Sequence, residues 1–539
     1  MTSRTRKSLA VLSSGLLLFL ATPGTPGLAP CAWMALVPLL WACRQEASVA
    51  DAAWLGLGAG MVFYTLSLSW ITIVLGTYGH LGWLVSSTAL LLLALYMSLY
   101  LAIFAAGCRW SSPALPLTWI APPLWVGLDL VRSRFLTGFP WLDLGYTQFR
   151  TPIILQTADL FGHHTVTFLI VMVNAMLAVL VGVAMEIWNP KPGAARGRRQ
   201  QLLVAVLPAA LLLLAAVAYG AIRQQQITQL CATAETRKIA VVQGNIPQDR
   251  KWSPSMQRET IASYLALSEE AVKGTRPPTL LIWPETALPF YPLESPLFID
   301  VVDRLVKQHQ VNLLTGAPHR QRPAPNAPPQ YFNSAFLIAP ADYPLSGMQL
   351  PLAKSPPMGR IIGRYDKQHL VPFGEYIPLR SVLPFLAPVV ETLGDFDRGG
   401  VSGPISCQNS RIGVLICFES IFPDLARSHV AKGANLLVNL TNDAWFGRSN
   451  APWQHLSMSV FRAVETRRSL ARAANTGFSG CIDPLGNSSG LSELFTPASL
   501  TASLPLLTTE TFFVRFGHHF ATLCLMALVP AAIRVRRRG

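Results

Sequence analysis

Residues 411–424 read RIGVLICFESIFPD, and Cys417 lies at the centre of this stretch. The apolar run from Ile412 to Phe418 is rich in branched residues, which predicts a buried strand that ends at the polar pair Glu419-Ser420. A thiol at the end of a buried strand can face a pocket from a rigid backbone, as a nucleophile requires. A lone strand cysteine is more often a small apolar core residue, so Cys417 needs support from the rest of the chain.

The composition is too apolar for an ordinary soluble enzyme. The 539 residues are 51% hydrophobic and only 13% charged, and the formal net charge is +15. Because Lys and Arg lie beside apolar segments and form no continuous basic face, the charge indicates membrane topology and argues against nucleic-acid binding. The sequence therefore predicts a membrane protein.

Eight apolar segments are candidate transmembrane helices. They lie at 8–28, 30–43, 52–75, 82–107, 116–132, 163–187, 201–220 and 511–533. Several are long enough to cross about 30 Å of hydrocarbon, although the second and fifth are short and contain proline. The first follows the basic RTRK and could instead be a cleaved signal peptide. Its length and the lack of a small-residue cleavage site favour an uncleaved anchor.

The basic residues orient these segments. Five clusters flank them: Arg4 with Arg6 and Lys7, Arg44, Arg109, the loop 190–200, and the tail RVRRRG. If eight segments span the membrane and both termini are cytoplasmic, all five clusters fall on the cytoplasmic side. The sequence therefore predicts a membrane domain of about seven helices at 1–220, an outer domain at 221–510, and a C-terminal helix with a basic cytoplasmic tail at 511–539.

The region 221–510 has the pattern of a layered α/β domain. Short β-like runs alternate with helical stretches; they include KIAVVQG, TLLIWPE, VNLLTGA, YFNSAFLIA, RIGVLICFE and ANLLVNLTND. No cysteine pair shows CxxC spacing and no Cys/His cluster has zinc-like spacing, so neither a metal nor another cofactor is expected.

Three polar residues follow apolar runs of this region, where open α/β layers place their ligand sites. Glu285 follows TLLIWP, Lys367 follows the short turn in GRYDKQHL, and Cys417 ends RIGVLIC. Each alone has an ordinary explanation, as a loop acid, a surface lysine or a core cysteine. A carboxylate, an ammonium and a thiol together indicate nucleophilic acyl chemistry.

These residues resemble the Glu-Lys-Cys triad of the nitrilase (carbon–nitrogen hydrolase) superfamily, which has an αββα sandwich fold. The resemblance covers about residues 237–505 and includes VVQGNIPQ, NLTNDAWFG and RAVETRRSLARAANTGFSG. It implies that Cys417 is the nucleophile, Glu285 the general base, and Lys367 the cation that stabilises the oxyanion. A backbone N–H near residue 418 would be the second oxyanion donor.

The resemblance also assigns residues around the triad. Glu375 and Glu419 would hold Lys367 charged and orient the nucleophile. Phe418 stands where some superfamily members have tyrosine, a change that leaves its backbone N–H available. Trp252 and Trp445 match aromatic positions near the pocket mouth, although both could be ordinary packing residues.

The apolar segments and the motif TGFPWLDLGY narrow the resemblance to the membrane-embedded, lipoprotein-acylating branch of the superfamily. That branch implies transfer of an acyl chain from a phospholipid, with phosphatidylethanolamine as the expected donor, through a Cys417 thioester. The acceptor would be the N-terminal amine of diacylglyceryl-modified apolipoproteins. The expected location is the bacterial inner membrane, with the outer domain in the periplasm.

Two other functions share parts of this pattern. A membrane-anchored amidase or nitrilase that uses water as acceptor would have the same triad. A transporter or receptor with an outer binding module is disfavoured, because Asp129 and Arg132 lie near a segment end and few other charges lie within the apolar segments.

Overall fold

The computed structural model describes residues 3–112, 114–188, 195–248, 251–273, 277–343, 360–376 and 396–538. The chain divides into two units by its internal contacts. The helical unit comprises Met1–Gln225, Ser449–Ser457 and Arg515–Gly539. The α/β unit comprises Gln226–Arg448 and Met458–Val514. Residues 190–194 of the predicted loop 190–200 lie outside the described residues.

The helical unit contains a helix in each of the predicted apolar segments. The longer helices are Ser3–Ala21, Val37–Arg44, Val49–Ser67, Trp83–Ser111, Leu117–Arg132, His163–Trp188, Ala195–Thr233 and His519–Arg538. Within the described residues, five are long and apolar enough to cross a membrane: Val49–Ser67, Trp83–Ser111, His163–Trp188, Leu202–Thr233 and His519–Arg537. The structure therefore supports a multi-pass helical domain, with five candidate spans where the sequence predicts about eight.

Two predicted segments form no helix long enough to span the membrane. The segment 30–43 divides into a 3₁₀ turn, Ala29–Trp33, and the eight-residue helix Val37–Arg44, each with a proline in its first turn. The helix Leu117–Arg132 has 16 residues and contains two consecutive prolines. A helix of that length extends only about 24 Å, less than the hydrocarbon core.

One segment far along the chain belongs to the helical unit. Gln454, which is buried, accepts hydrogen bonds from the indole N–H groups of Trp70 (3.2 Å) and Trp141 (2.6 Å). Its amide donates to the carbonyl oxygen of Ser67 at 3.1 Å. These bonds give both the oxygen and the nitrogen of the buried amide a partner and attach residues 449–457 to this unit.

The α/β unit contains two six-stranded sheets. In chain order the strands are β1 Thr236–Gln243, β2 Leu280–Ile282, β3 Asn312–Gln321, β4 Gln330–Ala339, β5 Arg360–Asp366, β6 Ile405–Cys407, β7 Ser410–Ile416, β8 Leu436–Thr441, β9 Ser469–Ala474, β10 Gly480–Ile482, β11 Ser488–Ser489 and β12 Ala498–Pro505. The first sheet has the order β12-β1-β2-β3-β4-β5 and the second β11-β10-β9-β8-β7-β6. Strands β1, β2 and β3 are parallel, as are β7, β8 and β9, while the outer pairs are antiparallel.

Alternate residues of the strands form two separate apolar layers. Ile239 and Val241 of β1 pack in one core with Val414 and Ile416 of β7, so that core lies between the sheets. Ala240 and Val242 face the other way, into a second core with the helix Pro254–Val272. The helices Pro423–Ala431 and Ala451–Thr466 accompany the second sheet. The predicted αββα sandwich is confirmed, because the central strands β2, β8 and β9 are buried on both faces and alternate residues of β1 enter the two different cores.

The strand that carries the nucleophile ends earlier than the sequence predicts. The apolar run continues to Phe418, but the strand ends at Ile416 and Cys417 begins a 3₁₀ turn, Cys417–Ile421. The N–H of Ile416 donates to the Glu419 carboxylate at 2.7 Å. The Glu419 carboxylate thus accepts the Ile416 N–H, which in a continuing strand would pair with the backbone of a neighbouring strand.

Candidate active site

Cys417 has an unusual backbone conformation at the end of β7. Its φ of 51° lies in the left-handed region, which a residue with a Cβ enters at a cost of about 1–3 kcal/mol. The carbonyl oxygen of Cys417 accepts a hydrogen bond from Ser420 Oγ at 3.1 Å, and Asn439 Nδ2 donates to the Leu415 carbonyl at 3.0 Å. The surrounding residues therefore hold a strained turn that presents the thiol away from the strand.

Glu285 lies in a turn that follows β2. Thr286, the next residue, also has a positive φ of 46°. The turn lies against Gly316 of β3, where an added Cβ would be only 2.5 Å from the Thr286 nitrogen. Only glycine at 316 allows this approach, so the position of Glu285 depends on a residue of the neighbouring strand.

The Glu285 carboxylate has one occupied and one available oxygen. Oε1 accepts a hydrogen bond from Asn333 Nδ2 at 2.7 Å. Oε2 is buried and has no hydrogen-bond partner among the described residues. A buried carboxylate oxygen without a donor is costly, and such an atom is positioned to accept a proton from a reacting group.

Lys367 follows β5 and is only 1% exposed. Its Nζ lies 2.8 Å from Glu375 Oε1 and 3.6 Å from Glu285 Oε1. Burial alone would lower the pKa of Lys367, but the charges of Glu375 and Glu285 raise it above the ordinary value. The ammonium is therefore charged at neutral pH and can stabilise negative charge nearby.

Glu375 and Asn333 complete this polar cluster. Besides the lysine, Glu375 Oε1 accepts a hydrogen bond from Asn333 Nδ2 at 3.0 Å, and Glu375 Oε2 accepts from the N–H of Val371 at 2.9 Å. One amide group thus bridges the two glutamates that flank the ammonium. The pair of carboxylates compensates the desolvation of Lys367.

Glu419 connects the nucleophile turn to the segment that carries Lys367. The carboxylate is fully buried and accepts from the N–H groups of Ile416, Gln368 (2.7 Å) and His369 (3.0 Å), and from the hydroxyl of Tyr365 (2.9 Å). Burial raises the pKa of Glu419 to about 7, while the backbone donors favour the charged form. Because its carboxylate accepts hydrogen bonds from the backbone of both segments, Glu419 is a positioning residue for Cys417 and for Lys367.

The thiol of Cys417 is protonated before reaction. Burial raises its pKa well above the ordinary value, the negative charge of Glu285 raises it further, and Lys367 opposes the shift. A thiol in this state needs a base to remove its proton. Glu285, whose charge acts on the thiol and whose Oε2 is available, is the group placed to do so.

The structure brings Glu285, Lys367, Glu375, Glu419 and Cys417 into one connected cluster. Phe418 is buried beside the nucleophile, with its ring 5.3 Å from that of Phe422.

The two predicted aromatic residues differ in exposure: Trp252 is 49% exposed and Trp445 is half-buried. Their position near the pocket mouth stays a prediction.

Three residues of the site were not predicted from the sequence: Asn333, Tyr365 and Lys251. Lys251 is completely buried and donates to Thr286 Oγ1 at 2.9 Å and to the Glu285 carbonyl at 3.3 Å. Burial lowers the pKa of Lys251 to about 8, although the charge of Glu285 opposes the change. A polar residue within an otherwise apolar strand, as Asn333 is in YFNSAFLIA, is the signal that could have identified it.

Glu419→Gln is expected to lower both stability and activity. The amide would direct an N–H group at a site where four donors converge, which leaves at least one buried donor unpaired and costs about 1–3 kcal/mol of unfolding free energy. Thermal unfolding of the purified variant measures this. Glu294→Gln is the control, because Glu294 forms an exposed ion pair with Arg320 at 3.0 Å and should change stability by less than about 1 kcal/mol. Equal melting temperatures for the two variants would show that Glu419 does not hold the site together.

The fold and the cluster define a carbon–nitrogen hydrolase domain. Residues 238–507 match the sequence model of the family described as carbon-nitrogen hydrolase. Residues 14–176 match the model described as apolipoprotein N-acyltransferase N-terminal domain. The chain thus contains both the membrane part and the carbon–nitrogen hydrolase part on which the sequence resemblance depends.

Similarity to named proteins extends over nearly the whole chain. An apolipoprotein N-acyltransferase of Geobacter metallireducens is 41% identical over 99% of this chain and 96% of its own length. Proteins of the same name from Methylococcus capsulatus (31% identical, 98% and 96% covered) and Shewanella oneidensis (30%, 90% and 87%) are also similar. The chain belongs to the apolipoprotein N-acyltransferase family.

Proposed function

We propose that the protein transfers an acyl chain from a membrane phospholipid to the N-terminal amine of diacylglyceryl-modified apolipoproteins. Cys417, Glu285 and Lys367 carry the reaction. The observation on which the chemistry rests is the buried Oε2 of Glu285, which lacks a hydrogen-bond donor while its charge acts on the Cys417 thiol. Membership of the family and the five candidate spans support a lipid-linked substrate.

The first half of the reaction forms a thioester. Glu285 takes the thiol proton as Cys417 Sγ attacks the ester carbonyl, and the Lys367 ammonium and the N–H of Phe418 stabilise the oxyanion. The carbon–oxygen bond then breaks, and the leaving oxygen takes the proton from Glu285. The products are the acyl-enzyme and a lysophospholipid.

The second half transfers the acyl group to an amine. The neutral amine attacks the thioester carbonyl and loses its proton to Glu285, and the same donors stabilise the second oxyanion. The carbon–sulfur bond breaks, and the thiolate recovers the proton from Glu285. An amide forms and the enzyme returns to its starting state.

Incubation with labelled phosphatidylethanolamine tests this proposal. The full-length protein in lipid nanodiscs should accumulate a covalent acyl group that hydroxylamine removes at neutral pH, as a thioester requires. A peptide with a diacylglyceryl-modified N-terminal cysteine should then discharge the label into an amide. Discharge into water at the same rate, with no amide formed, would indicate a hydrolase.

We also propose that the termini and the loop 190–200 face the cytoplasm of a bacterial inner membrane and that 221–510 faces the periplasm. An even number of eight spans would require the predicted segments 8–28, 30–43 and 116–132 to cross the membrane besides the five candidate helices. The clusters of Lys and Arg beside the apolar segments support this orientation.

Reporter fusions test the orientation. A reporter that is active only in the cytoplasm should be active when fused after residue 195 and inactive when fused after residue 300. A reporter that is active only in the periplasm should give the reverse result. The same compartment at both positions would contradict an even number of spans.

A further inference from the structure

The segment 396–399 runs directly beside the catalytic residues. The N–H of Phe396 donates to the carbonyl oxygen of Glu375 at 3.0 Å, and the N–H of Gly399 donates to that of Lys367 at 2.8 Å. Both neighbours are members of the active-site cluster. The backbone between these two bonds is therefore held beside the backbone of Lys367 and of Glu375.

Arg398 occupies this position with an exposed side chain. Its guanidinium carbon lies 5.3 Å from the centre of the Tyr376 ring. Among the described residues no carboxylate lies within ion-pair distance of this guanidinium, and the neighbouring Asp397 carboxylate accepts from the N–H of Tyr331 at 2.8 Å. Arg398 is thus an exposed guanidinium with no carboxylate partner among the described residues, whereas Lys367 lies between two glutamates.

Tyr376 provides a second donor at the same place. Its hydroxyl oxygen is buried and has no hydrogen-bond partner in the parts of the chain that the structure describes. A planar guanidinium with several N–H groups and a phenolic O–H are the donors that phosphate oxygens bind. The two groups fit a singly charged phosphodiester better than a neutral glycerol or a cationic amine.

We propose that Arg398 and Tyr376 bind the phosphodiester of the acyl donor and thereby select which lipid ester reaches Cys417. The inference rests on the proposed function. Both substrates of that reaction contain diacylglyceryl esters, but only the phospholipid carries a phosphate. A cationic subsite beside the segment of Lys367 and Glu375 therefore favours attack on the donor and disfavours deacylation of the acceptor lipoprotein.

Acylation of Cys417 by two donors with the same acyl chains tests this assignment. One is phosphatidylethanolamine and the other is uncharged diacylglycerol, each in nanodiscs with the full-length enzyme. In Arg398→Gln, the apparent KM for the phospholipid should rise about ten- to a hundredfold, the range of a lost charged hydrogen bond. The rate with diacylglycerol should stay within about twofold, and Tyr376→Phe should show the same selectivity with a smaller effect.

Arg320→Gln is the matched control. Arg320 also lies over a tyrosine ring, Tyr291 at 5.5 Å, but it is paired with Glu294. The Arg320→Gln variant should therefore have the wild-type KM for both donors.

Three results would overturn the inference. The first is an equal loss of acylation with both donors in Arg398→Gln. The second is an unchanged KM for phosphatidylethanolamine in that variant. The third is that millimolar inorganic phosphate, at constant ionic strength, removes the difference between Arg398→Gln and the wild type. The last would reassign the groups to free phosphate. If the wild-type enzyme formed no acyl adduct with either donor, the proposed function itself would fail.

Discussion

Cys417→Ala is expected to abolish acyl transfer and to leave no covalent acyl group on the protein. The thioester requires the Cys417 sulfur, and the alternative of direct transfer would need both substrates at one carbonyl at the same time. The rate should fall by several orders of magnitude, on the scale seen when a nucleophile is removed from a catalytic triad. Labelled phospholipid followed by denaturing gel electrophoresis and hydroxylamine treatment measures the adduct.

The other thiols of the α/β unit provide the control. Cys231, Cys407 and Cys481 are free, and burial raises the pKa of Cys407 and of Cys481 above the ordinary value. Substitution of each by serine should leave the adduct on Cys417, provided that the variant unfolds at a normal temperature. The kinetics of the wild type should be ping-pong, since the lysophospholipid leaves before the amine arrives. A Cys417→Ala enzyme that still transferred acyl chains would exclude the covalent mechanism.

Lys367→Arg is expected to lower the acylation rate by about 10²-fold or more, although the charge is unchanged. The ammonium lies in a nearly closed site, between Glu375 at 2.8 Å and Glu285 at 3.6 Å. A guanidinium is planar and larger, so it can pair with the glutamates only by displacing the donor from the oxyanion position. Single-turnover acylation of Cys417 by phosphatidylethanolamine measures the effect.

A surface lysine provides the comparison for this substitution. Lys307 is 56% exposed and lies 3.9 Å from Asp303 in a helical pair, so Lys307→Arg should leave the acylation rate unchanged. Melting temperatures of both variants separate a loss of fold from a loss of chemistry. If Lys367→Arg retained near-normal turnover, Lys367 would not be the oxyanion donor.

The main elements of the α/β unit could be predicted because their signals are local. Runs such as KIAVVQG and ANLLVNLTND contain the branched residues of buried strands, and the structure contains β1 and β8 there. The chain order of Glu285, Lys367 and Cys417 identified the superfamily without any contact information.

The number of membrane spans was harder to predict. Hydropathy reports how apolar a segment is, but the segment 30–43 divides into a 3₁₀ turn and an eight-residue helix, and the helix Leu117–Arg132 has only 16 residues. An apolar segment is therefore not always a helix that spans the membrane, and the described residues contain five candidate spanning helices.

The sequence alone determined the class of the protein, because hydropathy, strand patterns and a motif in chain order are properties of neighbouring residues. Only the tertiary structure decided how the site is built. Glu419 binds backbone groups about 50 residues away, and Asn333 joins Glu285 to Glu375 across 48 and 42 residues. Gln454, nearly 400 residues from Trp70, belongs to the helical unit. Such partners depend on which strand ends and turns meet when the chain folds. No periodicity in the sequence encodes which residues so far apart in the chain will come into contact.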